Sequence, residues 1–272
     1  MLARGIITST VGIGEGYDEA LLGGMAEAGG GRLHDVGHAS EIGEVVLGEL
    51  REGRAAVLER VHLRVTVPAN VRAEVIGPWS HQALPGTIDI VCGTLLPDQT
   101  RRVVVRLHCP SGSPGDVLLF GVAASGNPPD AAATADNVGT VEAEPVEVEL
   151  HLAAGKDNTA QPRDLERSLM VLQAWHAAVL RKAVLLNRAG DHRAARGFIE
   201  RELHWFERYA HRVPGAEALL AELVLLLRRA EEERSERTRK EVFAASTRQG
   251  RSERDRRSVA PASLRDILTG PR

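Results

Sequence analysis

Four groups of residues have the types and spacing to do chemistry. Gly12, Gly14 and Gly16 follow an apolar run and precede a helical pattern, the setting of a loop that cradles a dinucleotide pyrophosphate. Such a loop needs G-x-G-x-x-G, and Tyr17 stands where the third glycine belongs, so the glycines read as turn geometry. His34, Asp35 and His38 bring two imidazoles and a carboxylate close together, a donor set suited to a divalent metal. A strand over Leu33–Val36 sends His34 and Asp35 to opposite faces, and the spacing is not H-E-x-x-H; a structural or solvated role is expected. Glu200, His204, Glu207, Arg208 and His211 share a helix face by their spacing, where imidazole and carboxylate suit a metal. Arg201, Arg208 and Arg212 offer competing ion pairs there, which favours a polar helix surface. Cys92 and Cys109 are too few for a disulfide framework and have no recognisable His partner, so two buried free thiols are expected, with one bridge between them as the alternative. There is no Gly-x-Ser-x-Gly elbow. No catalytic, cofactor-binding or metal-ligating residue is assigned, no cofactor is expected, and the protein reads as a non-enzyme.

The elements that position these groups begin with residues 1–57. Ile6, Ile7, Thr8, Thr10 and Val11 read as a buried strand over 6–11. After the glycines, Asp18 caps a helix starting near Glu19, with Leu21, Leu22, Met25 and Ala26 as its apolar stripe and Gly29–Gly31 as its stop. A strand at Leu33–Val36 follows. A helix near Ser40–Val57 then turns Ile42, Val45, Val46, Leu50 and Val57 inward. Strand, helix, strand in this order is one repeat of a doubly wound parallel sheet. A unit of this size buries only ~60% of its unfolded surface. Parallel strands also normally have neighbours on both edges, so the open edge of strand 6–11 is the expected place for a partner protein to pair.

The stretches TSTVGIGEGYDEALL, MAEAGGGRLHDV and HASEIGEVVLGEL resemble the C-terminal part of bacterial von Willebrand factor type A domains. The resemblance implies an α/β fold and a role in binding other proteins. The family's cation site uses an Asp-x-Ser-x-Ser loop that occurs nowhere in this sequence. The resemblance therefore implies a partial unit without the family's metal site or, alternatively, the truncated product of a longer, cation-dependent protein.

Residues 58–155 change character. Leu58–Val67, Val71–Ile76, Thr87–Cys92, Arg101–His108, Val117–Ala124 and Val141–Leu152 read as strands separated by Gly/Pro turns, which predicts an antiparallel β-sandwich. The stretch GNPPDAAATADN reads as a long loop with no assigned role. Residues 163–245 have helical spacing in three runs, broken at Gly190-Asp191 and Pro214-Gly215, which predicts an antiparallel bundle. One hairpin, LLNRAGDHRAARGFIERELHWF, is similar to a tetratricopeptide unit but occurs once. Trp79, Trp175 and Trp205 read as packing residues. From Arg228 onward the charges interleave, predicting a solvated helix and then a disordered tail over 246–272.

The 272 residues carry a net charge of −3 and only Lys156, Lys182 and Lys240 as lysines. Acidic residues offset the arginine-rich end, and no aromatics interleave there to stack on bases, so no nucleic-acid role is expected. No uninterrupted apolar run reaches the ~18 residues of a membrane span, and no signal-peptide cleavage pattern follows the N-terminal apolar stretch. A cytoplasmic, multi-domain protein-binding or scaffolding module is the expectation, with an enzyme whose site is assembled between domains as the lesser alternative.

Overall fold

The computed structural model describes residues 6–14, 16–129, 139–230 and 236–250. Strand β1 (Thr8–Ile13), helix α1 (Glu19–Ala28), strand β2 (Gly30–Val36) and helix α2 (Ile42–Arg54) follow one another. β1 and β2 pair in parallel, Thr10 with Leu33 and Val11 with His34. The ladder begins at Thr8, two residues later than Ile6. The three glycines do more than stop α1: Gly30 (φ +70°) and Gly31 open β2, and a Cβ on Gly31 would stand 2.3 Å from the Thr8 carbonyl oxygen. Only glycine permits that approach of backbone to backbone. A short 3-10 turn, Ala39–Glu41, leads into α2, with the His38 amide donating to Glu41 Oε1 at 2.9 Å.

The strands that follow are β3 (Leu58–Thr66), β4 (Arg72–Ile76), β5 (His81–Leu84), β6 (Thr87–Leu95), β7 (Val104–His108), β8 (Val117–Asn127), β9 (Val141–Glu142) and β10 (Val146–His151). Six form one sheet in the order β10-β8-β3-β6-β5, with β9 also on β8, and its ladders are antiparallel. β4 pairs with β7. Alternation along β3, β6 and β8 sends Val65, Ile88, Ile90, Leu118 and Phe120 inward. There they share one core with Val71, Val75 and Trp79, flanked by Val103 and Val105. The expected strand over 141–152 is split at Pro145, which has no N–H to give a ladder. β5 carried no sequence signal because all four of its residues are exposed. Most of the expected long loop, residues 130–138, lies outside the described residues.

Helices α3 (Gly155–Ala160), α4 (Leu165–Arg188), α5 (His192–Ala210), α6 (Ala216–Arg228) and α7 (Glu236–Gly250) complete the described chain. Asp164 and Asp191 cap α4 and α5, accepting from the Arg167 and Ala194 amides at 2.9 and 3.0 Å. Leu172, Leu180, Val184, Ile199, Phe206, Leu223 and Leu226 are buried as their spacing requires. α7 is more than the solvated helix of the sequence reading. It packs on α4, burying Val242 and Phe243, with the Arg181 guanidinium 4.2 Å from the Phe243 ring centre. Residues 246–250 of the expected tail therefore continue a docked helix, and the rest of the tail is outside the described residues. By length and composition α4 is the one helix, among the described residues, able to cross a membrane, and 44% of its apolar window is buried.

Contacts divide the chain into two units. One takes in the described residues of Met1–Ile13, Leu21–Val75 and Trp79–Pro162; the other takes in those of Gly14–Ala20, Ile76–Pro78 and Arg163–Arg272.

Candidate interaction surface

α1 and α2 lie on opposite faces of the β1–β2 pair. Neighbouring strand residues point to opposite faces. Thr10 Oγ1 donates to the Leu22 carbonyl of α1 at 2.9 Å, and Ser9 Oγ donates to Glu49 Oε2 of α2 at 3.0 Å. The second contact belongs to a polar clasp. Arg32 and His34 of β2 both bind Glu49 Oε1, at 2.7 and 2.8 Å, and Arg32 also pairs with Glu52. Burial by itself would raise the Glu49 carboxyl, but the His34 hydrogen bond and the Arg32 and His34 charges outweigh it and hold the carboxyl at about 2.

This clasp turns α2 the unexpected way. Ile42 and Val45 are half-buried, but no residue of α2 is buried, and Val46, Leu47 and Leu50 face outward. Val57 is exposed as well, so the expected inward face is corrected. On α1, Ala26 is buried while Leu21 and Met25, one turn apart, are exposed. Ile6, Ile7 and Ile13 around β1 are exposed too. Among the described residues β1 has a single strand neighbour, β2. Leu21 and Leu50 are each 60% exposed, values usual for charged side chains rather than leucines on an α/β layer. Among the described residues β1 thus has one open backbone edge, and both helices of the repeat carry exposed apolar side chains.

The residues singled out for chemistry are placed elsewhere. Gly14 (φ +66°) is turn geometry, and its carbonyl accepts from Lys240 Nζ at 3.4 Å. The same ammonium lies 3.9 Å from the centre of the Tyr17 ring. Glu19, only 2% exposed, pairs with Arg188, which also holds Asp18 at 2.9 Å, and Arg239 lies 3.9 Å from Glu19. The loop that mimics a phosphate cradle is therefore tied down by cations of α4 and α7. No local pattern marks this clamp, because its partners are distant along the chain.

His34 serves the clasp and His38 the 3-10 turn, so the two do not share a site with Asp35. On α5, Glu200 pairs with Arg196 at 2.9 Å, and His204 packs edge-on against Trp205 with ring centres 5.3 Å apart. Among the described residues no three His, Cys, Asp or Glu side chains are grouped to hold a metal ion. Cys92 is buried and burial pushes its thiol up, but Cys109 is exposed, which corrects the expectation of two buried thiols. Both are free. Trp79 and Trp175 pack as expected, Trp175 Nε1 donating to Glu202 at 2.6 Å. Trp205 instead stands in solvent beside Arg208.

No protein-family model matches the sequence, and no curated protein matches it. Solved structures do. A von Willebrand factor type A protein from Catenulispora acidiphila superposes with a TM-score of 0.50 over 79% of this chain and 50% of its own, at 17% identity. The human COPII-coat protein Sec24c superposes with a TM-score of 0.53 over 89% of this chain and 32% of its own, at 14% identity. At such identities the likeness concerns the fold, which is von Willebrand A-like α/β. This chain spans half the length of the first of these proteins and about a third of the second.

Proposed function

We propose that this protein is a non-enzymatic protein-interaction module of the von Willebrand A type, and that its partner adds a parallel strand to β1. One observation carries the reading: among the described residues a parallel strand has an open edge, in a repeat whose helices leave Leu21 and Met25 of α1 and Val46, Leu47 and Leu50 of α2 exposed. Parallel strands are stable when both faces and both edges are covered. The fitting partner is an apolar strand with a flanking helix, and burying the five side chains supplies the driving force. In this reading the α/β repeat corresponds to the C-terminal part of the family's domain, a β-sandwich and a helical bundle carry it as a scaffold in the cytoplasm, and this chain supplies no metal site.

The same edge supports a second reading, in which the missing strand belongs to a longer form of this polypeptide that retains the family's cation site. The greater length of both structural neighbours favours it. Isolation of the protein from its native source separates the two. A single polypeptide well above 29.3 kDa supports the longer form, whereas a 29.3 kDa chain bound to a second polypeptide supports the partner. A free 29.3 kDa monomer overturns both.

A further inference from the structure

A second strand edge has different chemistry. β10 closes one side of the six-stranded sheet, and all six of its residues are exposed. Its register on β8 sets Leu150 opposite Leu118, Val148 opposite Phe120 and Val146 opposite Val122. Directly paired residues share a face. Val146, Val148 and Leu150 thus continue the face on which Leu118 and Phe120 are buried, yet they themselves are 40–57% exposed. Glu147, Glu149 and His151 take the opposite face, where His151 Nε2 lies 3.1 Å from Glu149 Oε2.

The backbone completes the pattern. The Leu152 amide donates to the Asp116 carbonyl at 2.8 Å, in register with the ladder. By the period of two, Leu150, Val148 and Val146 aim their amides at β8, and Glu147, Glu149 and His151 aim theirs at the open side. Among the described residues no strand lies there.

We infer that the outer edge of β10 docks an extended segment of a partner protein in which basic residues alternate with β-branched apolar ones. Strand addition supplies the backbone bonds, and the alternate side chains supply the selection. Apolar side chains of the incoming strand extend the Val146–Val148–Leu150 row, and its basic side chains meet Glu147 and Glu149. A second copy of this chain is the poorer occupant. Pairing β10 with β10 in antiparallel sense sets carboxylate rows against each other, and like charges directly opposite destabilise a strand pair.

The test uses the full chain and a fluorescent, N-acetylated nonapeptide alternating lysine with valine, read by anisotropy. The residue opposite an outward-facing glutamate lies on the glutamate face, so the lysines carry the ladder bonds. Methylating two lysine backbone nitrogens then weakens binding at least tenfold while leaving every charge in place. Glu147→Lys with Glu149→Lys weakens binding about tenfold, from the loss of two cross-strand charge pairs. Glu147→Gln with Glu149→Gln, a milder change, serves if the reversed pair fails to fold by circular dichroism. No binding of the unmodified peptide overturns the inference. Equal binding of the methylated peptide also overturns it, because attraction is then charge alone. Competition between the peptide and dimerisation of the chain, seen by sedimentation, reassigns the edge to a second copy and overturns it as well.

Discussion

The α/β repeat and the six-stranded sheet are built inside out relative to each other. In the central strands of the sheet, Val65, Ile88, Ile90 and Phe120 meet in a core, and exposed apolar side chains such as Val146 and Val148 lie at its β10 edge. In the α/β repeat, the contact between α2 and the strands is made by Ser9, Arg32, His34, Glu49 and Glu52, and leucines face water. An apolar core closes a layer by itself. A polar clasp fixes a helix in place but leaves its apolar side unsatisfied, so the first region is shaped to receive something more.

The sharpest way to break this comparison is a matched pair of truncations. Ile90→Ala, at a fully buried position, is expected to cost about 3 kcal/mol in urea unfolding. Leu50→Ala is expected to cost under ~0.5 kcal/mol in the isolated chain, as exposed sites do. Equal costs would mean that α2 buries Leu50 and that the inversion is false.

The clasp gives the next largest effect. Glu49→Gln should destabilise the chain by roughly 2 kcal/mol, a value reduced for partial solvent exposure. Its pH dependence has a definite sign. The Glu49 carboxyl is held at about 2 in the folded protein against an ordinary 4.5, so its contribution is complete above pH 4.5 and is lost as pH falls through about 2. Stability measured over that interval should fall less steeply in Glu49→Gln than in the wild type.

A smaller effect on folding, but a decisive one on binding, is expected of Leu47→Asp combined with Leu50→Asp. Stability of the isolated chain should change by no more than ~0.5 kcal/mol, binding of an apolar dye should drop, and partner binding should be abolished. At the other edge, Glu147→Lys with Glu149→Lys should leave stability within ~0.5 kcal/mol and leave binding at β1 untouched. Loss of β1 binding in that variant would show that the two edges are not independent.

Much of this architecture was legible in the sequence because it rests on local periodicity. Alternation marked β3, β6 and β8, and the breaks at Gly190-Asp191 and Pro214-Gly215 separated α4, α5 and α6. What stayed hidden depends on residues far apart. The face that α2 buries is decided by Arg32 and His34, which lie on β2, so the helix's own stripe of Val46 and Leu50 pointed the wrong way. Glu19 is buried only because Arg188 and Arg239 come from helices far along the chain. α7 has few apolar residues, and the burial of Val242 and Phe243 was masked by the surrounding charges. The β1 edge was readable as a strand lacking a neighbour, whereas the β10 edge was not, since VEVEL in isolation looks like any half-buried strand.

Amide hydrogen exchange on the protein isolated from its native source, set beside the recombinant 29.3 kDa chain, tests the central claim most directly. A strand added to β1 should slow exchange across Thr8–Ile13 at least tenfold in the native material, with the central strands β3 and β6 unchanged. Identical exchange at Thr8–Ile13 in both samples, from a free monomer, would contradict it.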